Sequence, residues 1–470
     1  MEFSTITFLY YFIPAVMILY FTVPFKWKTL VLLIGSLFFY FWGESSHVLV
    51  MIISSLCGYV FGLLIDKYRE NKLLSRLYMI LSLAISFGFL CTFKYADFLI
   101  ENVNALFRSN IALLNIVLPS GISFYTFQIA SYTIDLYRGN VGVQKNPIKF
   151  MTYVSMFPQL IAGPIVRYSD VEKELNERKI NIDNISYGIR RFAIGFAKKV
   201  LIANTFNEFT TIVNQNKSEM SVLFMWAFVI AYAFRIYFDF SGYSDMAIGI
   251  GKILGFSFPE NFNYPYISKS ITEFWRRWHM TLGSWFRDYI YIPLGGNRVP
   301  KWKWFRNIIV VWAFTGIWHG ASWNFVLWGV FFAVLLIIEK LFLYKKLEKM
   351  PSIFSRIYTI FFILISWVIF DATTLSDIGY RLSTMFGISD VPFVNATTLY
   401  YLKSYLTLFI VAIIGSTPVV KNLITKIGEK KDAYKKVINV LEIVMVMTFI
   451  IVSTSYLIDG SSAPSLYFRF

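Results

Sequence analysis

With 470 residues, of which 57% are hydrophobic and only 15% charged, the chain has a mean hydropathy of +0.57, which excludes a soluble globular protein. Its net charge of +16 does not indicate nucleic-acid binding, because the lysines and arginines stand in short clusters between apolar runs. That arrangement is typical of loops that face the cytoplasm and anionic lipid. Apolar runs long enough to cross a bilayer of about 30 Å recur along the sequence, which predicts an all-α polytopic membrane protein.

The N-terminal part of the sequence predicts an orientation in the membrane. The first apolar run, Ile6 to Phe25, has no basic residue before it and no small-residue cleavage site, so we interpret it as a retained span and not as a signal peptide. Basic residues follow the first run and the third run, the latter in the loop Asp66 to Arg76. Because basic loops stay in the cytoplasm, the N-terminus is predicted to lie outside.

Two apolar segments in the middle third are broken. Leu118-Pro119-Ser120-Gly121 interrupts the segment 111–136, and Pro158 with Gly163-Pro164 interrupts the segment 151–167. Proline and glycine are tolerated at membrane depth where neighbouring groups or a cavity satisfy the freed backbone atoms. Both segments therefore predict broken or re-entrant helices.

Charged residues also stand within apolar sequence. The segment Ile185 to Ala203 is predicted to be a helix in the cytoplasmic interface, because it carries Arg190, Arg191, Lys198 and Lys199. A strong span from Val222 to about Phe240 runs into DFSGYSD, which contains Asp239, Tyr243 and Asp245. Carboxylates in or beside apolar sequence are costly, so a functional role is predicted for them.

The C-terminal part contains further predicted spans at 323–338, 354–370, 405–415 and 437–456. Basic loops at 340–349 and 421–436 alternate with the polar loop 371–395, which predicts that the C-terminus lies outside. The total is about 11 spans plus re-entrant and interfacial pieces. An odd count conflicts with two outside termini, so one segment of the broken middle third is expected to be miscounted. Without a repeat of fixed period or a linker, residues 1–470 are predicted to form a single domain.

The stretch Ile271 to Gly329 contains two of the three histidines, His279 and His319, each beside a tryptophan. If 274–289 forms one helix, one stripe consists of Trp275, Trp278, Leu282, Trp285, Phe286 and Tyr289, and the opposite face consists of Arg276, Arg277, Thr281, Ser284, Arg287 and Asp288. This pattern predicts a cationic, tryptophan-rich helix in the membrane interface, with His279 on the flank of the aromatic stripe and directed toward protein. The alternative to a functional His279 is a histidine that anchors the ring belt.

His319 ends the apolar run Ile308 to Trp318 and precedes Gly320-Ala321-Ser322. Small residues allow another backbone or a substrate to approach closely, and a histidine at such a break is costly as packing alone. Near neutral pH an imidazole can take a proton from a hydroxyl and return it to a leaving group. A catalytic role is therefore predicted, and a satisfied interhelical hydrogen bond is the alternative. No H-E-x-x-H pair, Cys/His cluster, G-x-S-x-G elbow or P-loop is present, so no metal site is predicted.

Four sequence blocks carry a family resemblance. They are GISFYTFQ with IDLYRG, FPQLIAGPIVR, YFDFSGYSDMAIGIGKILGF with NFNYPY, and FWRRWHMTLGSWFRDYIYIPLGG continuing to GIWHGASWNFVLWG. Together they span residues 121–329. In these blocks the chain resembles membrane-bound O-acyltransferases, and within them the bacterial branch typified by the alginate O-acetylation protein.

The resemblance implies a fold and a reaction. The fold would be a ring of tilted helices with a thin centre, in which His319 is the catalytic histidine and His279 the second signature position. A cytoplasmic acyl thioester, acetyl-CoA or an acyl carrier, would meet an acceptor hydroxyl that arrives from the other face through a central tunnel, with no bound cofactor. In this branch an acetyl group ends up on an exported polysaccharide, in the bacterial plasma (inner) membrane. Extracytoplasmic acetyltransferases of the SGNH type or a polysaccharide-synthesis complex are the implied partners.

Further residues are predicted to contact substrate. Arg276, Arg277 and Arg287 suit a phosphate-bearing thioester donor, and His279, on the flank of the same helix, is predicted to support the binding or orientation of that donor. The other candidates are Asp288, Tyr243, Asp245, Trp318 and Asn324. The related branch that transfers D-alanine from a carrier protein to teichoic acids is the alternative function, and the PLGG and GASWNFVLWG blocks favour the acetyl branch. A polysaccharide transporter would require paired inverted repeats, which the sequence lacks, and a non-catalytic scaffold would have little reason to keep His319 at a helix break.

Overall fold

The computed structural model describes residues 2–430 and 432–460, and these residues form helices and no β-strand, which confirms the all-α prediction. The α-helices are α1 (Ile13–Thr22), α2 (Phe25–Gly43), α3 (Val48–Lys67), α4 (Lys72–Phe107), α5 (Ile122–Arg138), α6 (Pro147–Ser155), α7 (Phe157–Leu160), α8 (Tyr168–Asn176), α9 (Ile182–Ala197), α10 (Asn204–Gln215), α11 (Val222–Ile253), α12 (Ile271–Arg277), α13 (Met280–Phe286), α14 (Lys301–His319), α15 (Trp323–Ile338), α16 (Tyr344–Lys349), α17 (Ser352–Asp371), α18 (Leu375–Met385), α19 (Ala396–Ser404), α20 (Leu406–Gly415), α21 (Val419–Gly428) and α22 (Asp432–Ile458). Wider π-helical turns occupy Phe8–Phe12, Lys198–Ala203, Arg287–Tyr291 and Glu339–Leu343, and 3₁₀ turns occupy Lys217–Glu219 and Pro265–Ile267.

Seven helices in the described part are long and apolar enough to cross a membrane. They lie at Phe25–Gly43, Val48–Lys67, Lys72–Phe107, Val222–Ile253, Trp323–Lys349, Ser352–Asp371 and Tyr434–Ile458. The pair α19 and α20, bent by 53°, would make eight if it counts as one span. The chain is thus a multi-pass membrane protein, but the predicted count of about 11 spans is not confirmed.

The predicted first span shows one reason why fewer helices of spanning length are present than the sequence predicts. Its apolar run forms one continuous but short helix, Phe8–Thr22. At 1.5 Å per residue this helix rises about 22 Å, which is less than the roughly 30 Å hydrocarbon core of a bilayer. An apolar run in the sequence therefore does not by itself give a helix of spanning length.

Of the two breaks predicted in the middle third, the second is confirmed, whereas in the first segment residues 109–119 form no helix and the chain becomes helical only after the predicted interruption. α5 begins only at Ile122, directly after Gly121, whose φ of +75° lies in the left-handed region. A Cβ atom at Gly121 would lie 2.6 Å from the carbonyl oxygen of Leu160, so both the backbone angle and the space require glycine. In the second segment α6 ends at Ser155, and only the single-turn helix α7 precedes the Gly163-Pro164 turn.

The described chain divides into two compact units. Within the described residues, one consists of 2–192 with Met246–Pro259, and the other of Ala193–Asp245 with 260–430 and 432–460. The prediction of a single domain over the whole chain stays a prediction. Residues 461–470, on which the predicted outside location of the C-terminus falls, lie outside the described residues.

The core of the second unit is dominated by aromatic side chains. Its central helix is α11, in which 78% of the most apolar 18-residue segment is buried inside the protein. Buried residues of α12, α14, α15 and α17 belong to the same cluster as those of α11. Close contact among these helices places both histidine-bearing blocks of the sequence in one packed core.

The sequence predicts that the segment 185–203 is an interfacial helix with four exposed basic residues, and the structure differs at two of them, Lys198 and Lys199. The segment is helical, but Lys199 is only 3% exposed, and its ammonium lies 2.7 Å from the Asp239 carboxylate. Lys198 pairs with Asp245 at the same distance. These two lysines therefore neutralise buried carboxylates of α11.

The predicted single helix at 274–289 is also wrong. The chain forms α12, breaks at Trp278 and His279, and continues as α13 and a π-helical turn. The aromatic stripe does not lie in an interface as predicted but packs into the protein, where the ring centroids of Trp275 and Trp312 are 4.7 Å apart and those of Trp278 and Trp367 are 5.0 Å apart. Trp278 belongs to the core cluster of the second unit, and Trp275 packs against that cluster.

Candidate active site

His319 is the last residue of α14 and is only 6% exposed. Three aromatic rings surround its imidazole: the centroid of Trp318 lies at 5.0 Å, that of Trp328 at 5.1 Å and that of Phe370 at 5.2 Å. The helix ends here because Gly320 adopts an extended backbone with φ of −172°. His319 thus stands at the predicted helix break, enclosed by protein.

Three glycines allow this arrangement. A Cβ atom at Gly320 would lie 2.1 Å from the ring of Phe325, which occupies the space beside the break. On the preceding turn of α14, a Cβ at Gly316 would lie 2.4 Å from the Phe325 carbonyl oxygen. On α15, a Cβ at Gly329 would lie 2.5 Å from the carbonyl oxygen of Trp312. The backbones of α14 and α15 therefore touch at Gly316 and Gly329, whereas the close approach predicted at Gly320 is made by the Phe325 ring.

His279 occupies the break between α12 and α13 in a left-handed conformation, with φ of +44°. Few non-glycine residues adopt this conformation, and such strain is concentrated at functional sites. The surrounding loop holds the break in place, because the Met280 amide donates to the carbonyl of Asn261 at 2.9 Å and the Asn263 amide donates to that of Arg277 at 2.9 Å. The predicted inward direction of His279 is confirmed, since the residue is 2% exposed.

Within the described part of the chain, the His279 ring makes one polar contact, between its Nδ1 and Oδ1 of Asn261 at 3.0 Å. Aromatic rings cover it, with the centroid of Phe240 at 4.7 Å and that of Phe262 at 6.5 Å. Burial disfavours the charged form and lowers the pKa of His279 to about 3. The imidazole is therefore neutral at physiological pH.

Trp318 connects the two histidines. Its ring centroid lies 5.9 Å from that of His279 and 5.0 Å from that of His319. The two histidines come from blocks 40 residues apart in the sequence. The structure thus brings together three of the predicted site residues in the core of the second unit.

The carboxylates of α11 lie beside this centre but are paired. Asp245 is bound by Lys198 and Asp239 by Lys199, and a Cβ at Gly242, halfway between them, would lie 2.7 Å from the Gly195 carbonyl oxygen. Tyr243, another predicted substrate contact, is 4% exposed on the same helix. The two ion pairs and the close contact at Gly242 hold α11 against residues 195–199. Phe240, also on α11, packs on the ring of His279.

The predicted donor-binding arginines do not form one group. Arg277 pairs with Glu273 at 2.9 Å and also donates to the Asn263 carbonyl. Arg287 and Asp288 pair with each other at 2.7 Å, and this hydrogen bond raises the pKa of Arg287.

Arg276 differs from these arginines because it is exposed and has no carboxylate partner among the described residues. It lies close enough to Lys340 for the two positive charges to repel each other. The ammonium of Lys340 lies 5.7 Å from the ring centroid of Trp304. Arg276 and Lys340 are therefore the cationic pair of this region that is available to an anion.

Asn324, a predicted substrate contact, makes hydrogen bonds within the protein. Its amide Nδ2 donates to the carbonyl of Phe370 at 3.1 Å, and its Oδ1 accepts from the hydroxyl of Ser322. These bonds join the first turn of α15 to the last turn of α17, which satisfies a carbonyl group that a helix end leaves open. Asn324 thus holds the backbone of Phe370, whose ring packs on His319.

Two residues of this region carry no functional prediction from the sequence. Asn261 lies in the NFNYPY block, but no local pattern marks it, because its partners His279 and Thr281 are 18 and 20 residues away. Glu339 is fully buried and accepts the amides of Ile271 and Thr272 at 2.7 and 2.9 Å, which caps the N-terminus of α12. Its sequence signal is a lone carboxylate at the end of an apolar run.

The structure offers no metal site in the described residues, where no group of three or more His, Cys, Asp or Glu side chains is assembled. The titratable groups at the centre are the buried imidazoles of His279 and His319. A histidine at a helix break can transfer a proton between a hydroxyl group and a leaving group when both reach it.

Comparison with known proteins agrees with this chemistry. Residues 37–375 match the model of the MBOAT, membrane-bound O-acyltransferase family. A probable alginate O-acetylase of Azotobacter vinelandii is 37% identical over 88% of this chain and 85% of its own length. A peptidoglycan O-acetyltransferase of Helicobacter pylori is 35% identical over 83% of this chain and 80% of its own length. A teichoic acid D-alanyltransferase of Bacillus subtilis is 31% identical over 54% of this chain and 67% of its own length.

Proposed function

Since the chain belongs to the membrane-bound O-acyltransferase family and is an O-acyltransferase, we propose that it moves an acetyl group from a cytoplasmic thioester to hydroxyl groups of an exported cell-surface polysaccharide. The transfer is direct or passes through an extracytoplasmic partner acetyltransferase of the SGNH type. The protein then lies in the bacterial plasma membrane, with its helices arranged as a ring around a tunnel that admits the acceptor.

The observation that carries this proposal is the enclosure of His319 at the end of α14, beside the Trp318 ring that also contacts His279. His319 takes the proton from the acceptor hydroxyl as the oxygen attacks the thioester carbonyl. The carbon–sulfur bond breaks, the new carbon–oxygen bond forms, and His319 returns the proton to the departing thiolate. The products are an O-acetyl ester and a free thiol, and no cofactor is consumed.

The donor is proposed to reach the centre near Arg276. Thioester donors such as acetyl-CoA or an acyl carrier bear phosphate, which an unpaired guanidinium binds well. Arg277 and Arg287 already neutralise carboxylates, whereas Arg276 and Lys340 are two cations in proximity. The donor phosphate therefore fits Arg276 with Lys340, and Arg276→Ala is expected to raise the KM for the donor more than it lowers kcat.

Transfer of D-alanine from a carrier protein is the alternative function. The D-alanyltransferase relative covers 54% of this chain, whereas the alginate and peptidoglycan O-acetylating relatives cover 88% and 83%. Those two relatives also match over most of their own length, which supports the acetyl branch. The donor assay below decides between the two acyl groups.

The test uses the purified protein in lipid nanodiscs, with labelled acetyl thioester and, separately, with charged D-alanyl carrier protein. The His319→Ala variant is expected to lose transfer by about 100- to 10,000-fold, because general acid–base catalysis contributes that factor. His47→Ala is the matched control, since His47 lies in the α2–α3 loop and pairs with Glu44 at 2.8 Å. Equal purification yield and thermal unfolding of the two variants show that both fold.

Two results would reject the proposal. Transfer by the His319→Ala variant at the rate of the His47→Ala control would remove His319 from the reaction. Transfer from the D-alanyl carrier, with none from the acetyl thioester, would replace the acetyl branch by the D-alanyl branch.

A further inference from the structure

We propose that Asn261 is a positioning residue of the reaction: it holds His279 in the tautomer protonated at Nδ1 and so presents the Nε2 lone pair to an O–H or N–H group of a substrate. This inference rests on the proposed acyl transfer, because that function defines the substrates. It assigns to His279 the role of a neutral hydrogen-bond acceptor, separate from the proton transfer at His319.

The orientation of the Asn261 amide follows from its neighbours. Its Oδ1 faces the backbone amide of Thr281 at 3.4 Å, the hydroxyl of Thr281 at 2.9 Å and Nδ1 of His279 at 3.0 Å. A backbone amide can only donate, so the atom that faces it is the oxygen. On the other side Nδ2 donates to the hydroxyl of Ser244 at 3.0 Å.

The tautomer of His279 follows from that orientation. Since Oδ1 of Asn261 can only accept, Nδ1 of His279 donates and carries the proton. In a neutral imidazole the second nitrogen, Nε2, then has the lone pair. Nε2 is fully buried and has no hydrogen-bond partner among residues 2–430 and 432–460.

The position of the ring is fixed by both the backbone and the side chain of Asn261. Its carbonyl accepts the amide of Met280 at 2.9 Å, directly after His279, while its side chain binds the imidazole. Asn261 itself is 1% exposed. A left-handed residue held from two directions by one buried neighbour is pre-organised, so Nε2 keeps its direction without a substrate present.

An unpartnered buried acceptor is costly unless a ligand satisfies it. Because burial keeps His279 neutral, with a pKa of about 3, Nε2 accepts a hydrogen bond at physiological pH but is a weak proton acceptor. The matching group is the hydroxyl of the acceptor or an amide N–H in the arm of the thioester donor. A rise in the KM for one of these two substrates in Asn261 variants identifies which group it is.

The tautomer can be observed directly in the full-length protein. The chain contains three histidines, so protein labelled with ¹⁵N-histidine has at most three pairs of ring signals, and His279→Asn identifies the pair of His279. We expect a protonated Nδ1 and a non-protonated Nε2 that does not titrate between about pH 5 and 8. A protonated Nε2, or titration in that range, would overturn the inference whether or not the protein is active.

Three variants test the consequence for activity. Asn261→Leu removes the acceptor, so transfer is expected to fall about 10- to 100-fold, as for loss of a buried hydrogen-bond partner. Asn261→Asp keeps an acceptor for Nδ1–H, but its charge raises the pKa of His279. Transfer is then retained at high pH and lost on acidification, because imidazolium has no lone pair at Nε2. Asn263→Leu is the control: it changes an exposed side chain of the same loop and keeps the backbone hydrogen bonds of that residue, so it is expected to match the parent.

The outcomes separate this inference from the proposed function. If the parent transfers acetyl groups and Asn261→Leu matches Asn263→Leu, the positioning role is rejected and the acyl transfer stands. A parent pH profile in Asn261→Asp also rejects it, even if Asn261→Leu does not fold. If the parent transfers no acyl group from either donor, the proposed function fails, while the histidine spectrum still tests the tautomer.

Discussion

Gly320→Ala adds a single methyl group beside His319, and the structure predicts that this methyl group disturbs both the packing and acetyl transfer. The added Cβ would lie 2.1 and 2.3 Å from two carbons of the Phe325 ring. Carbon atoms in contact are separated by about 3.5–4.0 Å, so the ring or the backbone has to move by roughly 1.5 Å. Phe325 is only 7% exposed and has little room to do so.

The movement passes to His319, the proposed catalytic residue. Phe325 packs on Phe370 with ring centroids 5.0 Å apart, and Phe370 packs on His319 at 5.2 Å. Overpacking of this kind costs about 1–3 kcal/mol of stability. Misplacement of a catalytic group by about 1 Å can cost about 100-fold in rate. We therefore expect a modest loss of thermal stability and a loss of transfer of about 100-fold.

The assay compares acetyl transfer and thermal unfolding of Gly320→Ala with Gly283→Ala and Gly379→Ala. The nearest atom to a Cβ at Gly283 lies at 3.7 Å, and a Cβ at Gly379 meets nothing within 4 Å. Both sit in helices, so alanine is expected to leave transfer unchanged and to stabilise by up to about 1 kcal/mol. The double variant Gly320→Ala with Phe325→Leu, which shortens the obstructing side chain, is expected to recover activity. Parental transfer rates in Gly320→Ala would refute the role of this contact.

Three further predictions concern the supports of the centre. Lys199→Met leaves the Asp239 carboxylate buried without its ion-pair partner and should cost about 3–5 kcal/mol, whereas the double variant with Asp239→Leu should recover most of that loss in thermal unfolding. Glu339→Ala removes the acceptor of two amides in the first turn of α12 and should cost about 1–3 kcal/mol, with Glu339→Gln intermediate; equal unfolding of all three proteins would contradict the cap. Folding lowers the pKa of His279 from 6.5 to about 3, so between these pH values the unfolded state binds one proton more than the folded state. The free energy of unfolding is therefore expected to fall as the pH decreases through this range. His279→Asn should lack this pH dependence, and an unchanged dependence would refute the neutral buried ring.

Features that depend on neighbours in the sequence could be predicted from it. Proline and glycine interrupt helices through their own backbone, and therefore the breaks before Ile122 and after Ser155 lie where the sequence places them. Glycine beside His319 likewise predicts a close approach, and the Phe325 ring fills that space. The four sequence blocks were sufficient to identify the family.

Features that depend on distant partners could not be predicted. The sequence places Lys199 on a helix suited to lipid headgroups, but its partner Asp239 stands 40 residues away and only folding brings the two together. The helix predicted through His279 is broken because the carbonyl of Asn261 takes the Met280 amide, which helical periodicity does not reveal.

Composition, local breaks and motifs therefore determine that this is a helical membrane acyltransferase with His319 at a helix end. Only the tertiary structure decides which charges are paired, how many apolar runs form helices of spanning length, and which polar group lies beside Nδ1 of His279. The physical reason is that hydrogen bonds and ion pairs in a buried core are set by what lies within about 3 Å in space, and sequence separation does not limit that distance.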